Sequence, residues 1–141
     1  MMSRNPSAPV PAPQRADRPW QAAAVGLIVL LEALGMIAVG VVFAAQLAAP
    51  GPLAPAGRVF LLVLILGAAA WQGWVALNVF RGRSWTRAAA LVWQVFQVIL
   101  AVPLVGGETL WLGVLLLVPA AAALLLLFNT KTLSFYEARS A

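Results

Sequence analysis

Four polar side chains stand out in a chain that is otherwise mostly apolar: Glu32, Gln72, Gln94 and Gln97. Glu32 interrupts the run VGLIVLLEALGM. Counted from Trp20, it lies about 12 residues along a helix, or roughly 18 Å at 1.5 Å per residue. That depth is near the centre of a bilayer. An ionised carboxylate there costs at least about 2.5–3.5 kcal/mol on insertion scales, so it must face protein or water and find a partner, or else hold its proton. The same counting places Gln72 about 14 residues into a second apolar stretch, and Gln94 and Gln97 about 9 and 12 residues into a third. All three therefore fall near the level of Glu32. Two chemistries are open to such a cluster. Glu32 can serve as a protonatable group, with the glutamines orienting a proton, a cation or a small polar ligand. Alternatively, the amides and the carboxyl group hydrogen-bond across helices and hold the bundle together. A single acid with no second acid or His is a poor proton relay.

A second group of chemistry-bearing residues is Arg81, Arg83 and Arg87 in RGRSWTR. They read as a cytoplasmic interface, since Lys and Arg accumulate on that side of membrane proteins. Arg87 either snorkels to the headgroups or turns toward Glu32 along the stripe Arg87–Ala90–Gln94–Gln97–Ala101. Its shallow depth favours snorkelling.

The missing residue types narrow the chemistry further. The chain has no Cys and no His, which removes thiol nucleophiles, disulfides and His-based metal or haem ligation. Its four acids, Asp17, Glu32, Glu108 and Glu137, are scattered, so a carboxylate cage is not expected. There is no Gly-rich phosphate loop, no Gly-x-Ser-x-Gly elbow and no selectivity-filter loop. No internal repeat of the transporter kind is evident. No catalytic residue, metal or cofactor is therefore expected, and the chain is read as non-enzymatic.

The elements that position these residues follow from composition. Of 141 residues, 63% are hydrophobic and 9% charged, with mean hydropathy +0.95. Charged residues alone make up roughly 25% of a soluble domain, so a soluble fold is excluded. Four segments reach the roughly 20 apolar residues a spanning helix needs. They run from about 20–47, 58–80, 85–104 and 110–128, and together form a membrane domain over 20–128. The connections are short: AAPGPLAPAG over 48–57, RGRS over 81–84 and VGGET over 105–109. Prolines and glycines in the first should stop a helix, and Glu108 or Thr109 in the last is placed to cap the fourth helix. Short connections make sequential helices antiparallel neighbours. The expected fold class is all-α, a four-helix antiparallel transmembrane bundle. Pro103 and Pro119 should each kink or end a helix. Small residues recur four apart at Ala22/Gly26, Gly40/Ala44/Ala48 and Ala69/Gly73, which favours close helix approach. The fourth helix has no polar residue and is expected to face lipid most.

Orientation follows from the basic residues. Arg4, Arg15, Arg18, Arg81, Arg83, Arg87, Lys131 and Arg139 fall on one side of a four-span chain, and Arg58 alone falls on the other. Both termini are thus expected to be cytoplasmic (N-in, C-in). The net charge of +5 is a topology signal, not a sign of nucleic-acid binding. The first apolar stretch, of about 26 residues, exceeds a signal h-region of 7–15, so it is expected to be retained as a span. Residues 1–19 form a Pro/Ala-rich tail expected to be disordered, and residues 129–141 form a second cytoplasmic tail. Eight Arg against one Lys, with 28 Ala, point to a GC-rich bacterial genome and hence to a plasma membrane.

The segment RGRSWTRAAALVWQVFQ, with the Glu-bearing first span and the short fourth, resembles a group of uncharacterised small four-span integral membrane proteins of GC-rich bacteria. The matching positions are Arg81, Gly82, Arg83, Trp85, Arg87 and Gln94, within roughly residues 25 to 130. The resemblance implies the four-span topology and no activity. The function expected is an accessory or scaffolding subunit of a membrane assembly, in contact with the lipid bilayer and with a membrane-protein partner or a second copy. The alternative is an oligomeric small-molecule or proton-linked transporter or channel built on Glu32, Gln72, Gln94 and Gln97.

Overall fold

The computed structural model describes residues 19–130 and Thr132. The two tails lie outside those residues, except Pro19, which precedes the first helix, and Asn129, Thr130 and Thr132. Asn129 forms a bend after the fourth helix and Thr130 and Thr132 are helical, with the Thr132 N–H donating to Asn129 O. The described residues contain no strand. Four helices among them are long and apolar enough to cross a membrane. They are built on α1 (Trp20–Ala45), α2 (Pro55–Phe80), α3 (Trp85–Ala101), which a 3-10 turn extends to Leu104, and α4 (Leu110–Leu127), which a 3-10 turn from Gly107 precedes. In hydrocarbon a backbone must satisfy its own hydrogen bonds, and a helix built from Leu, Val and Ala does so within one segment.

Helix ends shift by a few residues from the sequence expectation, each for a local reason. α1 stops at Ala45 instead of 47, because the Gln46 and Leu47 N–H groups turn back onto Phe43 O and Ala44 O. α2 begins at Pro55, three residues earlier than expected, because proline at a first helical position loses no hydrogen bond and already has helical φ. α3 gives way at Val102–Leu104 to a single 3-10 turn containing Pro103. Pro119 lies inside α4, which continues through it. The expected caps of α4 do not form: Thr109 Oγ1 donates backward to Gly106 O and Leu104 O at 3.1 and 3.2 Å instead.

Packing is closest between α1 and α2 and between α3 and α4. Glycines mark the tightest approaches. A Cβ on Gly26 would stand 2.9 Å from the Phe80 ring, and one on Gly40 would stand 2.8 Å from Leu66 Cδ2. One on Gly113 would meet the Leu104 and Val105 backbone at 3.0 Å. Ala22 and Ala69 are buried as the small-residue spacing requires, but the remaining positions depart from the expected stripes. Ala44 and Ala48 are exposed, and Gly73 faces open space. The main apolar core joins Val25 and Val29 of α1, Val75, Ala76 and Val79 of α2, Ala90 of α3 and Leu127 of α4. It therefore sits toward the end of the bundle that carries Trp20, Phe80 and Trp85. Outside it, large apolar side chains such as Phe60, Val63, Leu115 and Leu125 point away from the protein. Exposed apolar surface on this scale suits lipid and not water. α4 buries four of its 18 residues against seven of 26 in α1, so the fourth helix is the most outward-facing, as expected.

The turn between α2 and α3 is fixed by its backbone. Gly82 has φ +69°, a conformation that favours glycine. Its N–H donates to Val79 O at 2.9 Å, and the Arg83 N–H donates to Asn78 O at 3.1 Å. This pair of bonds is a Schellman motif, which closes the end of α2.

Candidate functional site

The three glutamines and Glu32 meet inside the bundle. Glu32 extends from the middle of α1. Its Oε2 accepts a hydrogen bond from Gln72 Nε2 of α2 at 2.8 Å and from Gln94 Nε2 of α3 at 3.1 Å. Its Oε1 accepts from Gln97 Nε2 at 3.1 Å. The same Gln97 nitrogen donates to Leu116 O of α4 at 2.9 Å. One carboxyl group and three amides thus connect all four helices. Gln72 and Gln94 are fully buried and Gln97 nearly so, whereas Glu32 is half-buried.

The buried stripe of α3 is Thr86–Ala90–Gln94–Gln97–Ala101. Thr86 takes the place expected for Arg87, since successive helical residues turn by about 100° and the stripe's inner end falls one residue earlier. Arg87 stands beside the stripe, half-buried, and does not contact Glu32. Arg81 and Arg83 are exposed at the α2–α3 turn. Thr86 Oγ1 donates to Arg83 O at 2.6 Å and ties the turn to the start of α3.

Donors and acceptors do not balance at the cluster. Gln72 Oε1 and Gln94 Oε1 are buried with no hydrogen-bond partner among the described residues. Trp93 Nε1 lies beside the Glu32 carboxyl group, yet makes no hydrogen bond of good geometry. Trp93 packs in tilted contact against Trp71 and Phe96, each with ring centroids 5.9 Å away. Of the tryptophans near this level, Trp71 and Trp74 are exposed on the outer surface. No group of metal-ligating side chains occurs among the described residues.

Arg58 holds a role that sequence reasoning missed, having counted it only as the basic residue on the other side. Its guanidinium gathers the α1–α2 connection. Nε donates to Leu53 O at 2.9 Å, Nη1 to Leu47 O at 3.0 Å and to Ala49 O, and Nη2 to Gly51 O at 3.2 Å. The only signal available was a lone Arg one turn into a helix after a Pro/Gly-rich loop whose carbonyls have no helical partners.

Comparison with family models, with curated proteins and with solved structures gives no match for this chain.

Proposed function

We propose that this chain is a small non-enzymatic integral membrane protein that acts as an accessory or scaffolding subunit of a membrane assembly. In this reading α1 to α4 form an antiparallel transmembrane bundle in a plasma membrane, with both termini cytoplasmic. The pairing of Gly26 with Phe80 and of Gly40 with Leu66 supports the antiparallel order, since the start of α1 meets the end of α2. The basic residues at the Trp20, Arg81 and Arg87 end support the orientation. Partners are lipid and another membrane protein or a second copy, not nucleic acid.

One observation carries the reading. Glu32, the half-buried acid in the middle of a span, is bonded to Gln72, Gln94 and Gln97 of its own chain, and Gln97 extends the link to α4. A carboxyl group engaged in this way contributes to holding four helices together. Surface hollows lie at Gly82, Arg83, Ser84 and Trp85 and at Ala38, Val39, Val42, Phe43 and Gln46, and Glu32 lines neither. The test is isolation of the tagged protein from its native membrane in mild detergent. The expected result is a second polypeptide at fixed stoichiometry, and recovery of this chain alone contradicts the reading.

A transporter or channel is the second reading. It is favoured by the unpartnered Gln72 Oε1 and Gln94 Oε1 beside Glu32, which leave acceptors for a passing donor. It requires Glu32→Gln to abolish flux in proteoliposomes while leaving expression intact. Unchanged flux excludes it.

A further inference from the structure

We propose that the α2–α3 turn binds the phosphate of an anionic phospholipid headgroup through Arg83 and Arg87. The inference rests on the reading that the helices cross a membrane.

Arg83 lies in the turn two residues before α3, and Arg87 is the third residue of that helix. The Thr86 hydroxyl bond to Arg83 O at 2.6 Å fixes Arg83 to the first turn of α3, and the Gly82 turn fixes it to the end of α2. Arg83 is exposed. Arg87 Nε is buried and has no acceptor among the described residues. A buried donor on a charged group is costly to leave unpaired. The acids among the described residues do not meet this need: Glu32 is bonded inside the bundle, and Glu108 stands in the turn at the opposite end of α3. Beside Arg83 the surface forms an open hollow of about 440 Å³ lined by Gly82, Arg83, Ser84 and Trp85. Its polar members supply the Ser84 hydroxyl and the Arg83 fork, which suit the tetrahedral oxygens of a phosphate. Trp85 is 44% exposed at the first residue of a spanning helix, the level at which indole rings meet headgroups. That placement selects a lipid phosphate over a soluble one.

This is more than the attraction of basic loops to anionic membranes. Generic attraction depends on charge alone and treats Lys and Arg alike. A site built on planar guanidinium forks does not.

The experiment uses the full chain in nanodiscs of phosphatidylcholine containing a minor fraction of phosphatidylglycerol, with retained lipid read by native mass spectrometry. Wild type is expected to enrich phosphatidylglycerol over phosphatidylcholine by roughly tenfold or more, the scale of two arginines at a membrane surface. Joint substitution Arg83→Gln with Arg87→Gln should abolish the enrichment. Joint substitution Arg83→Lys with Arg87→Lys should lower it severalfold. Ser84→Glu, an exposed change that leaves both arginines in place, should also remove it, which keeps the test open if the Gln variant misfolds. Equal enrichment in the Lys variant reduces the effect to generic charge and overturns the proposal, as does a Gln variant that binds like wild type. Displacement of the lipid by millimolar inorganic phosphate reassigns the hollow to soluble phosphate and overturns the lipid source. Failure of the wild-type chain to insert into either nanodisc contradicts the membrane reading itself, a separate outcome.

Discussion

Glu32 Oε1 and Gln97 Nε2 lie 3.1 Å apart, and the same nitrogen reaches Leu116 O at 2.9 Å, so one amide links α1 and α4 through α3. This contact closes the cluster. Gln72 and Gln94 tie Glu32 to α2 and α3, but only Gln97 extends the network to the fourth helix.

Removing the carboxyl group should loosen the whole bundle. Glu32→Leu leaves the buried amides of Gln72 and Gln94 without their acceptor and Gln97 with Leu116 O alone, at a cost of about 2–4 kcal/mol. Glu32→Gln keeps an acceptor oxygen but turns its own N–H₂ toward a neighbouring donor, at a cost of about 1 kcal/mol. Unfolding of the purified protein by SDS titration in mixed micelles measures both, and the order Leu worse than Gln is the outcome expected.

Glycines should separate into tight and open positions. Gly113→Ala places a methyl group 3.0 Å from the Leu104 and Val105 backbone, which cannot swing aside as a side chain can. The expected loss is about 1–3 kcal/mol, the usual cost of overpacking. Gly35→Ala meets nothing within 4 Å and should be neutral or slightly stabilising, since alanine is the better helix former. Thermal unfolding of the two variants in the same detergent compares them directly.

The level of the polar cluster could be read from the sequence because helical rise is fixed, so Glu32, Gln72, Gln94 and Gln97 can be placed by counting from the span ends. Which of them bond, and to which oxygen, depends on helix rotation and on the register of α3 against α4. That register is set by the turn at 102–109, where Pro103 and the positive φ of Gly107 give no periodic signal. Counting by helical turns also misassigned the inner end of the α3 stripe by one residue, to Arg87 where Thr86 is buried. The Arg58 contacts were beyond reach for a different reason. They join one side chain to carbonyls of an irregular loop, and no repeat in the sequence encodes the path of that loop.

Arg58 should govern the order of the α1–α2 connection. Its fork serves four carbonyls at once, whereas a lysine ammonium is a single compact donor group. Arg58→Lys is expected to speed amide exchange across residues 46–54 by about tenfold, the equivalent of one to two net hydrogen bonds. The helices themselves should keep wild-type protection. Hydrogen–deuterium exchange with mass spectrometry resolves the segment, and unchanged exchange there removes Arg58 as its organiser.

The claim on which the functional reading depends is that Glu32 is engaged in holding helices together within its own chain. A double-mutant cycle between Glu32→Gln and Gln97→Leu, read as unfolding free energy in mixed micelles, tests it most directly. A coupling energy of about 1 kcal/mol or more is expected, since residues in one hydrogen-bond network are not additive. Additive losses, with coupling below about 0.3 kcal/mol, would contradict the account and leave Glu32 free for another role.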